Sequence, residues 1–324
     1  MNKVYIFLLI PFIFYSQNDD KLFAVFYNVE NLFDTINNLN FNDVEYLPDS
    51  EKRWDTYKYN HKLSQIEKVF FNIIHDKNNG KIPDIIGLCE VENKLVIEDL
   101  LKTPLFNNNN YTIIHQDSPD KRGIDCALLV SKKLKIVKSD FILINNPNAN
   151  RPTRDIVYAK LEFNHQLINV FVNHWPSRWG GQKETNYKRV FAANVLRDYL
   201  DNHTQVDEYN LIMGDFNDHP DNESLDKVLV NDDLVNLMDP KFVLGIGSYN
   251  YKGDWNWLDQ IIISKDLVDL NKNSLEVGSY QKDFMMYKNE HGEIYPNRSF
   301  GGNRWYGGFS DHLPIYCIFR IPFN

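Results

Sequence analysis

The residues best suited to chemistry lie near the middle of the chain, in the stretch LIMGDFNDHP at positions 211–220. An apolar run up to Met213 predicts a buried strand, Gly214 ends it, and Asp215 and Asn217 follow. Enzymes of the α/β class place catalytic groups in this way, at the edge of a sheet. Asp215 could accept a proton or orient a water molecule, and Asn217 could hold an anionic oxygen without carrying charge. The alternative is an ordinary Asx turn that closes a strand.

Two further strand ends carry carboxylates. The apolar segment 83–89 leads into Glu90, and the segment 22–27 leads into Asn28 and Glu30. Asn28 and Glu30 are two residues apart, so they leave their strand on one face. A carboxylate at the end of so apolar a strand as the one before Glu90 costs free energy unless a positive group lies beside it, and a divalent cation is the natural candidate. The alternatives are an exposed loop acid at Glu90 and a solvated strand end at Asn28 and Glu30.

Two histidines lie at positions that suit acid–base chemistry. His174 follows the apolar strand 167–172 and opens a glycine-containing loop. Asp259 begins a very apolar strand, an unusual place for a carboxylate unless it holds a partner, most simply a histidine. Asp311 and His312 come directly before the last strand. Because adjacent side chains point in different directions, one of them could bind a metal ion while the other faces the reacting group.

Arginine and aromatic side chains supply candidate groups for holding a phosphorylated substrate. Arg122 lies in a predicted hairpin and could bind a phosphate through two hydrogen bonds, although a solvated surface arginine is the alternative. The glycine-rich segment 282–308 carries Arg304 and Trp305, which could contact a flanking phosphate and stack on a base. The alternative there is a packed loop whose aromatic side chains cover the edge of the sheet.

Composition limits the class of protein. The chain has 324 residues, 43% of them hydrophobic, and no Pro/Ser-rich linker divides it, so we expect a single domain over residues 17–324. The formal net charge of −9 argues against nucleic-acid binding through a broad basic face, but an enzyme could still bind phosphates through a metal ion. Arg151 and Arg154 are interpreted as a solvated basic pair.

The N-terminus has the pattern of a targeting segment. Lys3 is followed by the apolar run 4–15, which is too short to cross a bilayer, and Ser16 precedes a polar stretch. We therefore predict a signal peptide over residues 1–16, a secreted or periplasmic protein, and no stable membrane span; a buried first strand is the alternative. The cysteines lie in apolar runs, which predicts small buried residues and at most one disulfide among Cys89, Cys126 and Cys317.

The elements that must position these groups can be predicted from hydrophobic periodicity. Apolar residues at helical spacing predict helices over residues 54–74, 183–200 and 225–237. Short apolar runs predict strands over residues 22–27, 83–89, 111–115, 126–131, 141–145, 156–163, 167–172, 211–213, 257–264 and 314–321. The segment 282–308 is predicted to be a loop.

Six short blocks occur in an order that resembles the endonuclease/exonuclease/phosphatase superfamily, which includes pancreatic deoxyribonuclease, abasic-site endonucleases, neutral sphingomyelinases and inositol phosphatases. The blocks are NVE (28–30), CEVE (89–92), NH (173–174), GDFN (214–217), LD (258–259) and SDH (310–312). The resemblance extends over roughly residues 23–319. Trp54, RGID (122–125) and GGFSDH (307–312) are similar to a secreted Bacteroidetes-type branch of that superfamily.

The resemblance implies an α/β fold of four layers, in which two mixed β-sheets face each other and helices cover the outside. The implied metal ligands are Glu90 first and, nearby, Asn28, Glu30 and Asp311. The implied catalytic residues are Asp215 with Asn217, which position the attacking water, and His312 with Asp259 and His174, which bind the phosphate. Such oxygen-rich ligands select Mg²⁺, Mn²⁺ or Ca²⁺ over Zn²⁺. Arg122, Arg304 and Trp305 remain the candidates for substrate binding.

Three hypotheses about function follow. We predict a secreted, metal-dependent phosphodiesterase, an endonuclease that acts on extracellular nucleic acid as a monomer. The alternative is the same chemistry on a small-molecule or lipid phosphoester, as in sphingomyelinases or inositol phosphatases; the apolar run 284–287 could contact lipid. A non-catalytic binding module is disfavoured because every catalytic position is present. Asn217 is followed by Asp218, where abasic-site enzymes usually have a basic or large residue, so specificity for DNA repair is not inferred.

Overall fold

The computed structural model describes residues 20–108, 111–243 and 247–323, so the predicted signal peptide lies outside the described residues. The α-helices are α1 (Thr56–Asn78), α2 (Lys94–Leu101), α3 (Gln182–His203) and α4 (Lys265–Leu270). Shorter helical turns are the 3₁₀ turns Val44–Tyr46 and Asp283–Met285 and the π-helical turn Ser224–Leu229. In the part of the chain that the structure describes, no helix is long and apolar enough to cross a membrane.

Most of the strands belong to two six-stranded mixed sheets. The first sheet has the order β13-β18-β1-β2-β4-β3, from β1 (Lys21–Leu32), β2 (Ile85–Val91), β3 (Tyr111–His115), β4 (Asp125–Ser131), β13 (Glu276–Ser279) and β18 (Ile315–Arg320). The second has the order β5-β6-β7-β8-β12-β9, from β5 (Lys135–Ile142), β6 (Ile156–Phe163), β7 (Gln166–His174), β8 (Tyr209–Asp215), β9 (Leu234–Asn236) and β12 (Asp259–Ser264). Three short hairpins lie outside them: β10 (Tyr249–Tyr251) with β11 (Asp254–Asn256), β14 (Met286–Lys288) with β15 (Ile294–Pro296), and β16 (Phe300–Gly301) with β17 (Arg304–Trp305).

The two sheets pack face to face, and helices cover their outer faces. Along β1, Leu22, Ala24 and Phe26 point into a core shared with the second sheet. The intervening residues of β1 point into a second core, against α1 and α2. A third core lies between the second sheet and α3. Strands buried on both faces read as continuous apolar runs, which is why these strands were visible in the sequence. The predicted α/β fold of two facing mixed sheets flanked by helices is confirmed.

Three sequence predictions need correction. The segment 225–237 is a π-helical turn followed by β9, because Leu234 and its neighbours pair with β12 instead of continuing the helix. The strand predicted at 141–145 begins earlier, at Lys135, and ends at Ile142; it is an edge strand whose charged, exposed residues hid it from an apolar search. The segment 282–308 is a 3₁₀ turn and two hairpins rather than a plain loop.

The cysteines agree with the sequence interpretation. Cys89, Cys126 and Cys317 are all buried, and none forms a disulfide. Burial raises the pKa of each thiol well above its ordinary value. They therefore behave as small apolar core residues.

Candidate active site

Strand pairing brings the predicted catalytic residues to one edge of the sandwich. In the parallel pair β7–β8, His174 lies opposite Asp215, and in the antiparallel pair β8–β12, Asp259 lies opposite Asp215. His312 precedes β18 in the other sheet, and an isolated bridge joins it to Tyr249. Residues far apart in sequence thus meet because their strands end at the same edge.

The backbone at this edge adopts conformations that L-residues rarely take. Glu30, Asn31, Glu90 and Asn217 have positive φ angles of 50°, 55°, 62° and 52°. The β1–β2 pairing is irregular between Asn28 and Leu32, and the β2–β4 pairing between Cys89 and Val91, on either side of Glu90. A left-handed residue other than glycine costs free energy and persists only where the surroundings impose it. Here these residues interrupt the regular strand pairing, and their polar side chains lie at the same edge of the sandwich.

Asp215 is the centre of this polar group. Its Oδ1 accepts the backbone N–H of Asn217 at 2.9 Å, and its Oδ2 accepts Asn28 Nδ2 at 3.1 Å. The Nε2 atoms of His174 and His312 lie 3.7 and 3.8 Å from Asp215 Oδ2. Burial raises the pKa of Asp215 to about 7, while the charge of His312 works in the opposite direction. A carboxylate with a pKa near neutrality is suited to accept a proton from water.

His312 and Asp259 form a buried ion pair. His312 Nδ1 lies 2.7 Å from Asp259 Oδ2, which also accepts the hydroxyl of Ser248. Burial alone would lower the pKa of His312, but the carboxylates of Asp259 and Asp215 raise it well above its ordinary value. The ring of Tyr249 packs on His312 with centroids 4.8 Å apart. The sequence hypothesis that Asp259 holds a histidine therefore agrees with this geometry, which fixes the imidazolium with Nε2 directed toward Asp215.

His174 has the opposite electrostatic character. It is 4% exposed, its Nε2 lies 3.9 Å from Glu90 Oε1, and its buried Nδ1 has no hydrogen-bond partner in the part of the chain that the structure describes. Burial, followed by the positive charges of Arg154 and Arg122, lowers its pKa well below the ordinary value. His174 is therefore neutral near pH 7. The two histidines beside Asp215 thus differ in protonation.

The Glu90 carboxylate suits a metal ion. Its Oε1 accepts Asn28 Nδ2 at 3.3 Å, and its Oε2 accepts the backbone N–H of Asn31 at 3.0 Å. Among the described residues, its only ion-pair partner within 4 Å is His174, which is neutral. A half-buried carboxylate held by two neutral donors leaves a negative charge for a hard cation to balance. The residues present therefore fit the divalent cation that the sequence implies. Three of the central side chains, Asp215, Asp259 and His312, also have ligand atoms within 4.8 Å of one another.

Glu30 and Asp311, the other two predicted ligands, are joined by an arginine. Arg298 Nε lies 3.0 Å from Glu30 Oε1, and its terminal nitrogen lies 3.0 Å from Asp311 Oδ2. Glu30 Oε2 also accepts the backbone N–H of Ser299, and the buried ammonium of Lys62 lies 3.9 Å away. Burial raises the pKa of Glu30 to about 7 and lowers that of Lys62 to about 8. Asn28 links the two halves of this group, because its Nδ2 donates to Glu90 and its Oδ1 accepts the backbone N–H of Glu30 at 3.0 Å. Metal binding by Glu30 and Asp311 stays a prediction.

A second network lies on the His174 side of the site and corrects the interpretation of Arg154. Arg154 is 3% exposed, not solvated; it donates to Asp120 at 3.0 Å and to the backbone oxygen of Trp175 at 2.7 Å. The same oxygen accepts the side-chain amide of Asn217. Arg151, its predicted companion, is exposed. Arg122 shares Asp120 through a 3.2 Å bond and keeps half of its side chain exposed.

Arg304 and Trp305 lie in the hairpin β16–β17. The indole of Trp305 is partly buried against Trp54, Phe300 and His61, with ring centroids 4.9 to 5.8 Å apart. Arg304 is exposed, and its guanidinium lies over the ring of Tyr306. The neighbouring rings therefore cover much of the surface of Trp305. Substrate contact by Arg304 or Trp305 stays a prediction.

Two cavities border the site. One, of about 490 Å³, is lined by basic residues and by Trp179, which is 90% exposed; the basic residues are Lys121, Arg122, Arg151, Arg154 and Lys188. Among the described residues that line it, Asp120 alone is acidic, and Arg154 and Arg122 already pair with it. The other cavity, of about 260 Å³, contains Arg298 and Asp311 together with four tyrosines, Tyr249, Tyr287, Tyr295 and Tyr306. We call these the basic cavity and the tyrosine cavity.

Sequence reasoning missed several residues of this edge. Lys62 lies in α1, where a helical apolar face at Tyr59, Leu63 and Ile66 gave no reason to expect a buried lysine on the same side. Arg298 lies in the segment 282–308, which was predicted to be a loop, and Tyr249 was assigned no role. The usable signal for Lys62 was its position inside that apolar face, since a lysine there must find a carboxylate or several acceptors.

Comparisons with known proteins show the family and the fold of this chain. A sequence profile of the endonuclease/exonuclease/phosphatase family matches residues 23–320. No curated protein matches the chain. Solved structures that resemble it include Danio rerio TDP2 complexed with a single-strand DNA product (16% identity, 94% of this chain and 100% of that chain, TM-score 0.56). A truncated Caenorhabditis elegans TDP2 also resembles it (16%, 93% and 98%, 0.58), as does a Bacteroides thetaiotaomicron mannosyl-6-phosphatase (14%, 91% and 98%, 0.56). At these identities, the solved structures show a shared fold.

Proposed function

Because the chain belongs to the endonuclease/exonuclease/phosphatase family, whose members are metal-dependent phosphoester hydrolases, we propose that it is a secreted phosphodiesterase that cleaves nucleic acid. The observation that best supports hydrolysis is the position of Asp215, which has a pKa of about 7 and lies between the protonated His312 and the neutral His174. The same edge provides a carboxylate, Glu90, that has no charged cationic side chain within 4 Å among the described residues. We propose that the enzyme acts as a monomer.

Each central side chain has a role in this proposal. Glu90 and Asn28 hold a divalent cation, for which we propose Mg²⁺, with Mn²⁺ or Ca²⁺ as substitutes; when bound, it supplies positive charge that neutralises the phosphate. Asp215 orients a water molecule and accepts its proton, and Asn217 lies beside it. His312 donates its Nε2–H to a phosphate oxygen while Asp259 holds the ring. His174, being neutral, contacts the phosphate without adding charge.

The basic cavity favours a polyanionic substrate. It lies next to His174, because Arg154 reaches the backbone oxygen of Trp175, and Ser177 lines the cavity wall. Phosphates that flank the scissile one could bind Arg122, Arg151 or Lys188, and the exposed indole of Trp179 offers a surface for base stacking. This local positive surface compensates for the overall charge of −9. One solved structure of similar fold, D. rerio TDP2, contains a single-strand DNA product, which supports the same substrate class.

The tyrosine cavity favours the second candidate, a small phosphoester. Its volume of about 260 Å³ suits one sugar or base, and Asp311 and Tyr249 connect it to His312. The mannosyl-6-phosphatase of similar fold supports a sugar phosphate as a candidate substrate. A lipid substrate is less favoured, because Met285 is buried and Phe284 packs on Phe309 at 5.3 Å, which leaves little of the run 284–287 for lipid.

The first test concerns the metal. We expect hydrolysis of bis(p-nitrophenyl) phosphate to be lost in excess EDTA and restored by Mg²⁺ or Mn²⁺. Glu90→Gln should lose most of the activity while keeping the circular dichroism spectrum and Tm of the parent. Full activity in excess EDTA would contradict the proposed chemistry. Activity that depends on metal but survives Glu90→Gln would show that other residues hold the cation.

The second test separates the substrates. Plasmid DNA, RNA, bis(p-nitrophenyl) phosphate, sphingomyelin and sugar phosphates are compared with wild type and with a Trp179→Ala, Lys188→Ala double variant. We expect the variant to raise KM for polymers roughly tenfold or more and to leave the small diester unchanged, because the small diester does not reach the basic cavity. Lys94→Ala, an exposed lysine on α2, is the matched control. Turnover of sugar phosphates alone would favour the second candidate.

Export of the full chain, with processing near residue 16, tests the proposed secretion.

A further inference from the structure

A cluster of metal-binding side chains lies outside the catalytic centre, at the junction of β3 and β4. His115 ends β3, Asp125 begins β4, and Asp117 lies in the loop that joins them. One ligand atom from each of the three lies within 4.8 Å of the others. The side chains of His115 and Asp125 are each 2% exposed, whereas Asp117 is exposed and open to solvent. The cluster thus combines two fixed, buried donors with one donor at the surface.

The distance between the two buried donors of this cluster fits a small coordination sphere. His115 Nε2 lies 3.2 Å from Asp125 Oδ2. Two ligand atoms bound to one tetrahedral Zn²⁺ at about 2.0–2.2 Å lie roughly 3.3 Å apart. The other oxygen of Asp125 accepts the backbone N–H of Ser118 at 2.9 Å, which fixes the carboxylate in this orientation. Since the third donor is on an exposed side chain, a small rotation of Asp117 could complete the site.

A separate observation points to a missing positive partner. Asp155, directly before β6 in the opposite sheet, is 3% exposed, and neither of its carboxylate oxygens has a hydrogen-bond partner among the described residues. It lies near enough to Asp125 for the charges of the two carboxylates to interact. Its neighbour in sequence, Arg154, does not compensate, because that guanidinium binds Asp120 and the oxygen of Trp175. An unpaired buried carboxylate beside a second buried carboxyl requires an explanation such as a bound ion.

We propose that His115, Asp117 and Asp125 bind a transition-metal cation of the Zn²⁺ class, with Asp155 as an outer carboxylate that balances its charge. An imidazole nitrogen beside carboxylates favours Zn²⁺ and similar ions over Mg²⁺ or Ca²⁺. The site differs from the catalytic centre in ligand type and in the strands that form it. It does not depend on the proposed substrate.

Such an ion would have a structural effect on the loop 116–124. It would join the residues at the two ends of the loop, His115 in β3 and Asp125 in β4, to Asp117, the second residue of the loop. The same loop carries Asp120, which binds Arg154, and Arg122, and both residues line the basic cavity. Binding should therefore stabilise the fold and order the wall of the basic cavity. Because a ligand that binds only the folded state raises stability by mass action, the effect can be measured without substrate.

The test uses the full-length Glu90→Gln protein, which removes the principal ligand of the catalytic centre. After treatment with chelator, Zn²⁺ is titrated in competition with a chromogenic indicator, and bound metal is counted by elemental analysis. We expect about one equivalent of tightly bound Zn²⁺ and a rise in Tm on its addition. Asp117→Asn, an exposed substitution that should not disturb folding, should weaken binding by roughly 10–100-fold, and His115→Gln and Asp125→Asn should do the same. The control His75→Gln, an exposed histidine on α1, should bind as the parent does.

Two results would overturn the proposal. One is equal Zn²⁺ affinity in the parent and in Asp117→Asn. The other is the absence of any Zn²⁺ binding in the parent below millimolar concentration, in which case His115 and Asp125 form only a hydrogen-bonded pair and Asp155 is kept neutral by protonation. Replacement by Co²⁺ gives an independent measurement, because its visible absorption bands report nitrogen and oxygen ligands directly and should be absent in Asp117→Asn and His115→Gln.

Discussion

At the scale of single residues, the protonation of the two histidines separates their roles. His312 is held protonated by Asp259 and Asp215, and His174 is held neutral by burial and by nearby arginines. A charged donor beside the phosphate stabilises charge that develops in the transition state. A neutral imidazole at the same distance from Asp215 can position an oxygen without raising the positive charge of the site.

We expect His312→Ala and His174→Ala each to lower kcat for bis(p-nitrophenyl) phosphate by roughly 10²–10⁴-fold, the range for a lost acid–base or transition-state contact. The measurement is steady-state kinetics at saturating metal, with Tm as a check on folding. His75→Ala, on the exposed face of α1, is the control and should keep full activity. If His75→Ala loses as much as His312→Ala, the site has been assigned to the wrong residues.

The pH dependence tests Asp215 as the base. Its pKa of about 7 is raised by burial and lowered by the charge of His312, and only the ionised carboxylate can accept a proton. Activity should therefore rise with pH as Asp215 loses its proton. Removing the positive charge in His312→Gln raises the pKa of Asp215, so the rising limb of kcat/KM should move to higher pH at the same metal concentration. A limb that moves to lower pH would show that Asp215 is not the titrating group.

At the scale of elements, the β7–β8 pair sets the position of His174 relative to Asp215. Gly214 lies opposite Asn173, and a Cβ atom at this glycine would lie 2.4 Å from the backbone oxygen of Asn173. No rotamer can relieve that contact, because the obstacle is backbone. The glycine thus allows a close approach of the two strands that carry the catalytic residues.

Gly214→Ala should therefore lower both Tm and kcat, since the strands must separate and His174 moves with β7. Gly278→Ala in β13 is the matched control, because its nearest neighbour, the Tyr316 side chain, is at an ordinary contact distance of 3.5 Å. We expect the control to keep both properties. Unchanged kcat in Gly214→Ala would mean that the distance between His174 and Asp215 does not limit catalysis.

The hairpin β16–β17 allows a similar comparison between packing and binding. Trp305→Ala removes ring contacts with Trp54 and Phe300 and should cost roughly 2–4 kcal/mol of stability, less than a fully buried tryptophan because the ring is partly exposed. Arg304→Ala, one residue away and exposed, should leave the free energy of unfolding unchanged and raise KM for a polymeric substrate only. Urea denaturation and kinetics on both substrates distinguish the two. If Arg304→Ala changes KM equally for the polymer and for the small diester, the hairpin supports the geometry of the catalytic site and does not select the substrate.

At the scale of the whole molecule, the two sheets explain how far the sequence could be interpreted. Strands buried on both faces, such as β1 and β8, were visible as apolar runs, and so were the polar residues at their ends. Partners from distant segments were not visible: Arg298 and Lys62 meet at Glu30 only because β1, α1 and the segment before β18 pack together. Arg154 was misinterpreted as solvated because nothing local indicates that Asp120 and Trp175 lie beside it. The edge strands β5 and β9 lack the double burial that makes a strand recognisable.

The burial of many carboxyls has a consequence for stability. It raises the pKa of Asp125 and of four further carboxyls: Asp155 to about 6, Glu30 and Asp215 to about 7, and Glu92 to about 8. The folded protein therefore retains protons that the unfolded chain has lost above its ordinary carboxyl pKa of about 4. Stability falls with pH wherever the folded state binds more protons than the unfolded state. A net charge of −9 adds self-repulsion in the same direction.

We therefore expect the metal-free protein to lose stability between pH 6.5 and pH 8. His174, whose pKa is lowered, is neutral in the folded state throughout this interval, and in the unfolded state it loses its proton as the pH rises above the ordinary pKa of 6.5. His312, whose pKa is raised, keeps its proton in the folded state, so its stabilising contribution decreases as the pH rises. Lys62, with a pKa lowered to about 8, opposes the trend only above that pH. Urea denaturation in EDTA should show that the free energy of unfolding decreases by on the order of 1–3 kcal/mol over this interval. Added Mg²⁺ should make this decrease smaller, because a cation favours the ionised carboxylates of the site.

Glu92→Gln provides the control for this prediction. Glu92 has the highest carboxyl pKa of the four and accepts the backbone N–H of Asp34 at 2.7 Å, a bond that the glutamine oxygen can still accept. Because Glu92→Gln cannot titrate at this position, the free energy of unfolding without Mg²⁺ should decrease less between pH 6.5 and pH 8. Glu98→Gln, which replaces a partly exposed acid on α2, should show the same pH dependence of stability as the parent. If the stability of the parent is constant or rises over this interval, these carboxyls are ionised in the folded state, and cationic side chains must compensate them more fully than the structure indicates.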